Sequence, residues 1–149
     1  MIANIYTEWK VSMTERDPLE ISGIRPTSAR LKILRLLEQS KQHLRAEDIH
    51  KQLQAAGSNV GVATIYRTLT QFENAGIVER HNFDDEHAVY ELNTGEHHDH
   101  MVCTGCSAVV EFVDPKIEER QIAIAKQYNF QMTDHQLTIY GICPKCKSI

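Results

Sequence analysis

With 149 residues, 42 % hydrophobic and 24 % charged, the chain has room for one ordinary domain or two small ones and the composition of a protein that buries a core; a large multidomain enzyme and a disordered polymer are excluded. No stretch reaches the ~18 consecutive apolar residues that span a bilayer, and no basic-then-apolar secretory signal opens the chain, so a cytoplasmic protein without membrane contact is expected. The net charge of −4 is unevenly spread, with −2 on residues 1–22, +4 on residues 23–83 and −6 on residues 84–149, which suggests a polyanion-binding half joined to a cation-binding half.

Residues 1–22 show no sustained periodicity and are expected to form an N-terminal arm. Pro26 and the capping residue Thr27 then precede a run in which Ala29, Ile33, Leu36 and Leu37 mark one helical face. A second helix is expected over Ala46–Ala56, on the stripe of Ile49 and Leu53, with Gly57 as its stop. The third, Val62–Ala75, places Val62, Ile65, Leu69 and Phe72 inward and Thr64, Arg67, Thr68 and Gln71 outward, with Tyr66 on the flank. Ile77–Phe83 and Ala88–Leu92 read as a hairpin turning at Asp84-Asp85-Glu86. Three short helices and a hairpin make a winged helix-turn-helix, whose last helix before the wing enters the major groove with its outward polar residues facing base edges.

From Asn93 the character changes. Val109–Val113 reads as a strand, Asp114-Pro115 as the cap and first turn of a helix with Ile117, Ile124, Ala125 and Tyr128 along one face, and Leu137–Ile142 as the last strand. The expected fold class is α+β: an arm over 1–22, a winged helix with hinge over 23–92, and a small α/β unit over 93–149 whose limited core needs a partner or a metal.

All four cysteines fall in two C-x₂-C pairs, Cys103/Cys106 and Cys143/Cys146. In a cytosolic chain this set supplies four thiolates to a tetrahedral Zn²⁺ with no open position, a structural role; two disulfides or a thioredoxin-like redox motif are the other readings of such pairs. Just before them stands the run His97-His98-Asp99-His100. If extended, it sends His98 and His100 to one side and His97 and Asp99 to the other, so that one strand serves two sites. Neither pair completes a shell, and His43, Glu91, Glu111, Glu118 and His135 are the candidates for the rest. Mixed imidazole and carboxylate sets suit Fe²⁺, Mn²⁺, Co²⁺ or Zn²⁺, and ligand softness does not choose among them. A hydrolase using this cluster with Glu118 or Glu119 as base is the alternative from another class; H-E-x-x-H is absent, no other catalytic signature appears, and no enzyme is expected. A plain zinc-stapled interaction module is the remaining alternative.

With these residues in this order, the chain resembles the ferric uptake regulator family of metal-dependent bacterial repressors. The resemblance rests on Gly23-Ile24-Arg25-Pro26-Thr27, Ala63-Thr64-Ile65-Tyr66-Arg67, Gln71–Ile77, the His97–His100 run with Cys103 and Cys106, and the terminal Cys-Pro-Lys-Cys. It implies a homodimer, or a higher oligomer built from it, that binds inverted repeats in double-stranded promoter DNA and dimerises through residues 93–149. It further implies a regulatory site of His43, Glu91, His98, His100 and Glu111 for Fe²⁺, with Mn²⁺, Co²⁺ or Zn²⁺ able to substitute. A second set of His97, Asp99, Glu118 and His135, and structural Zn²⁺ on Cys103, Cys106, Cys143 and Cys146, are implied likewise. On the DNA side Tyr66 and Arg67 reach bases, Thr64 shares their face, and Arg25 enters an A·T-rich minor groove. Zinc- and peroxide-sensing regulators share the fold; peroxide sensing resembles a site richer in Asp, and Glu at both 91 and 111 leans towards iron.

Overall fold

A computed structural model describes residues 17–40 and 42–148; most of the expected arm, residues 1–16, lies outside the described residues. The chain divides into two compact units, one ending at Glu96 and the other running from His97. No helix among the described residues is long and apolar enough to cross a membrane.

The first unit runs α1 (Pro18–Ile21), α2 (Ser28–Gln39), α3 (Ala46–Ala55), α4 (Val62–Asn74), β1 (Val78–Asn82) and β2 (Ala88–Leu92). Within the expected arm, Asp17 caps α1 by accepting the Leu19 N–H at 2.9 Å, and Leu19 is wholly buried in the core. A single turn is too short to display a period, so only the structure exposes it. Thr27 caps α2 by accepting the Arg30 N–H at 3.3 Å. Helices α3 and α4 end at Gly57 and Gly76, both left-handed (φ 79° and 73°), with Ser58 N–H bonded to the Leu53 carbonyl and Ile77 N–H to that of Phe72.

The core of this unit joins Leu19, Ile33, Leu37, Ile49, Leu69 and Phe72, among others. Two expectations for α4 are corrected. Thr68 is buried at 4 % exposure, because Ile65, Thr68, Leu69 and Phe72 form the i, i+3, i+4, i+7 stripe, whereas Val62, in the first turn, is 36 % exposed. In α2 the buried face is Ile33, Leu34 and Leu37, with Leu36 at its edge. The hairpin pairs Val78 with Leu92 through Asn82 with Ala88, and Leu44 adds a bridge to Tyr90 through bonds of 3.0 and 2.8 Å. That bridge fixes His43 beside the wing.

The second unit runs β3 (Asp99–Cys103), β4 (Val109–Phe112), α5 (Pro115–Gln127), β5 (Thr138–Gly141) and α6 (Pro144–Lys147), with sheet order β4-β3-β5. β3 is antiparallel to β4, setting His100 opposite Glu111, and parallel to β5. Asp114 caps α5 by accepting from Lys116 N–H at 2.8 Å, and Pro115 fills the first turn. Along the expected apolar face of α5, Ile117 and Ala125 are half-buried beside Glu118 and Gln121, while Ile124 (42 %) and Tyr128 (67 %) are exposed. Val110, Phe130 and Ile142 are exposed as well, a far wider apolar surface than a unit of this size leaves open when its core suffices.

Candidate metal centres and nucleic-acid face

The two cysteine pairs meet because β3 delivers Cys103 and Cys106 to the place where the chain leaving β5 turns into α6. All four sulfurs are unbonded to one another and lie within 4.8 Å, with Cys106 Sγ and Cys143 Sγ 3.7 Å apart. Tetrahedral thiolates at the ~2.3 Å of a Zn–S bond would stand about 3.8 Å apart, so the spacing fits a closed four-sulfur shell. Cys103 Sγ accepts from the N–H of Cys143 at 3.2 Å and of Gly105 at 3.4 Å. Backbone N–H groups, those of Cys143 and Cys106 foremost, hold its thiol down at about 6. Cys146 is pushed up to about 12, because its thiol is held by the sulfurs of Cys106, Cys143 and Cys103. A cation bound by all four sulfurs requires each as a thiolate, and the lowered Cys103 already supplies one. A Cβ at Gly105 would stand 3.1 Å from Cys146 Sγ, so a larger residue there would push that sulfur by a few tenths of an ångström.

A second cluster gathers His97 from just before β3, Asp99 from its first position, Glu118 from α5 and His135 from the segment ahead of β5, with donor atoms within 4.8 Å of one another. His97 Nε2 is 3.3 Å from both Asp99 Oδ1 and Glu118 Oε1, and His135 Nε2 is 3.1 Å from Glu118 Oε2. Yet both Asp99 oxygens, Glu118 Oε1 and His135 Nε2 are buried without a hydrogen bond: the atoms are close but not aimed at one another. Donors on a tetrahedral shell of ~2.0–2.1 Å radius stand about 3.3–3.4 Å apart, close to these separations, so the four side chains could close on a common centre with small adjustments. An Asp that is 1 % exposed with two orphan oxygens is costly unless a cation sits there. The amide oxygen of Gln121, three residues after Glu118 on the same helical side, is also buried without a partner.

Each unit also carries some of the remaining ligand candidates. In the first, Glu91 grips two rings: Oε2 is 3.0 Å from His43 Nε2 and Oε1 is 2.6 Å from His81 Nε2. His81 is stacked on Phe83 (ring centroids 5.3 Å, 3° between planes), and Glu79 faces Glu91 across the hairpin with Oε2 3.7 Å from His81 Nε2. Sequence reasoning missed His81 and Glu79, whose only signal is their two-residue spacing on the hairpin face that also carries Glu91. In the second unit His98 and His100 present rings 4.8 Å apart, and His98 Nε2 lies 3.9 Å from Glu111 Oε1.

The outer face of α4 carries Tyr66, 42 % exposed, and Arg67, whose Nη2 donates to Thr64 Oγ1 at 3.5 Å. The Tyr66 hydroxyl donates to the Glu47 carboxylate in the first turn of α3. This bond holds the Glu47 carboxyl below its usual range and, with some burial, the Tyr66 phenol above its own. Arg25 is exposed ahead of α2, and Arg30 ties its segment to α4: Nη1 donates to the Arg25 carbonyl at 2.7 Å, while Nη2 and Nε donate to Gln71 Oε1 at 2.8 and 3.2 Å. Neither Glu47 nor Arg30 announces itself in the sequence, because their partners lie 19 and 41 residues away. The wing tip is acidic, and Asp84, its carboxyl lowered by the His87 N–H, pairs with Arg45 at 3.4 Å.

The sequence profile of the Ferric uptake regulator family matches residues 21–140. The Ferric uptake regulation protein of Legionella pneumophila is 55 % identical over 136 residues, covering 91 % of this chain and all of its own. The structure of the Ferric uptake regulator from Francisella tularensis with iron superposes with a TM-score of 0.81 at 44 % identity, over 84 % of this chain and 96 % of that one. The Helicobacter pylori ferric uptake regulator, described as having three functional metal binding sites, gives 0.79 at 25 % identity, over 97 % and 95 %.

Proposed function

The chain belongs to the ferric uptake regulator family, and from that premise we propose that it represses iron-uptake genes as a metal-loaded homodimer bound to promoter inverted repeats in the cytoplasm. It is a metal-responsive transcriptional repressor and not an enzyme. The observation that carries the reading is a winged helix with Tyr66 and Arg67 exposed on its third long helix, in one chain with several sets of metal-ligating side chains.

Cys103, Cys106, Cys143 and Cys146 hold structural Zn²⁺. His97, Asp99, Glu118 and His135 form a second site in the dimerisation unit, which the orphan Asp99 oxygens support. His43 and Glu91 from one unit with His98, His100 and Glu111 from the other form the regulatory Fe²⁺ site, where Mn²⁺, Co²⁺ or Zn²⁺ substitutes. The F. tularensis structure with iron and the H. pylori structure with three functional metal sites support such a scheme. Neither unit alone supplies a full shell of these five donors, so engaging all of them at ~2.0–2.2 Å selects one orientation of the winged helix. In a dimer joined through exposed apolar residues of the second unit, Val110, Tyr128, Phe130 and Ile142 among them, that orientation sets the spacing of the two recognition helices. Arg67 then bonds guanine bidentately, Tyr66 meets thymine methyls, Thr64 supports Arg67, and Arg25 enters a narrow minor groove.

The test is anaerobic binding of an iron-uptake promoter fragment by the zinc-loaded protein, titrated with Fe²⁺, Mn²⁺ and Zn²⁺ at fixed salt. Binding that appears with Fe²⁺ and is lost in a His98→Ala/His100→Ala variant is expected. Binding indifferent to added metal would overturn the switch.

A further inference from the structure

Tyr66 stands on the open face of α4, where an unrestrained phenol ring would sample several rotamers. It is instead held at both ends: the backbone belongs to α4, and the hydroxyl is bonded to Glu47 on α3. Glu47 is well placed to keep that grip, in the first turn of its helix where a carboxylate suits the dipole, and near Arg45 and His87. Its setting carries a cost, however. In a helix-turn-helix the helix before the recognition helix crosses the DNA backbone, so an exposed carboxylate in its first turn repels phosphates wherever the helix pair is seated out of register.

We infer that Glu47 is a specificity-determining residue that positions the Tyr66 ring for base reading and repels phosphate backbone in wrong registers. The inference rests on the reading of Tyr66 as a base contact. Its two effects separate by chemistry. A Gln at 47 still accepts the Tyr66 hydroxyl but carries no charge, whereas an Ala removes both acceptor and charge. The raised Tyr66 phenol remains protonated across the neutral range, so the donor is always available.

The experiment uses the full-length protein, loaded with zinc and Mn²⁺, and measures affinity for a duplex selected from a random library against a shuffled duplex of equal composition, at several salt concentrations. Glu47→Ala is expected to lower affinity for the selected duplex about 2–10-fold per half-site, the worth of ordering one side chain, while affinity for the shuffled duplex rises. Glu47→Gln should raise the shuffled affinity alike yet retain affinity for the selected duplex, a rescue that a merely structural role would not produce. Tyr66→Phe should match Glu47→Ala in losing selected affinity, and the double variant should lose no more than either single. If Tyr66→Ala lowers the preference while Glu47→Ala leaves it unchanged, base reading stands and the role of Glu47 falls. If Tyr66→Ala also leaves the preference unchanged, the underlying assignment of Tyr66 fails.

Discussion

Asp99 offers an unusually sharp test, because changing it should raise stability without metal and forfeit about 2.3 kcal/mol of the stabilisation that metal gives the parent. In the metal-free protein its two oxygens are buried with no hydrogen bond, and the nearest cationic candidate is the His97 imidazole at 3.3 Å. Asp99→Asn removes that uncompensated charge at constant shape, so the metal-free variant should be more stable than its parent by about 1–3 kcal/mol. Free metal at a hundred times its dissociation constant adds about 2.7 kcal/mol to the parent. Losing a direct ligand costs at least the ~100-fold upper range of losing a supporting residue, which leaves the variant a gain of about 0.4 kcal/mol. For a chain of this size the parent's gain is about 5–11 °C in Tm. The assay is thermal unfolding in a His98→Ala/His100→Ala background with cysteine-bound zinc retained, with and without buffered Mn²⁺. A variant that is less stable than its parent without metal and gains as much as the parent with it would refute the placement of Asp99 in a cation site.

Other outcomes follow from the same geometry. Leu19→Ala should destabilise the first unit by about 2–5 kcal/mol in denaturant unfolding, since its side chain is fully enclosed; a change within about 0.5 kcal/mol would remove α1 from the core. Arg67→Ala should reduce discrimination for the selected operator by about 1–3 kcal/mol per half-site, with metal binding intact and shuffled-duplex affinity falling less; equal losses would deny base reading. In the metal-free, reduced chain Cys103 is lowered from an ordinary 9.0 to about 6. A depressed thiol stabilises in full above pH 9 and loses that contribution as pH falls towards 6, while Cys146, raised to about 12, contributes a constant amount below pH 9. Stability should therefore decline from pH 9 to 6 with a slope that Cys103→Ser removes, as followed by urea midpoints under reducing conditions.

The elements that the sequence made legible are those whose signal is local. Thr27, Asp114 with Pro115, and Gly76 mark their helix ends because capping acts within a few residues. The strand Ala88–Leu92 reads directly from its flanking turn. Two-residue alternation pairs His97 with Asp99 and His98 with His100, and the structure sets each pair together. What escaped is of two kinds. Leu19 sits on a helix of one turn, which has no period to read, and Thr68 occupies an apolar stripe through position rather than polarity. Glu47, Arg30, His81 and Gln121 act through partners in space or through burial, and a carboxylate, a guanidinium, an imidazole or an amide in a polar sequence carries no mark of either. At Ile124 and Tyr128 helical periodicity locates an apolar face without saying whether the same unit covers it.

In the proposed switch, metal at the regulatory donors and DNA at the recognition helices are coupled through one orientation of the winged helix. Coupling between equilibria is reciprocal, so the direct measurement is Fe²⁺ affinity of the zinc-loaded protein under anaerobic conditions, with and without saturating operator. Operator is expected to tighten Fe²⁺ binding by the same factor by which Fe²⁺ tightens operator binding, about 5–150-fold, and shuffled DNA to do so far less. Identical Fe²⁺ affinities with and without operator would contradict it.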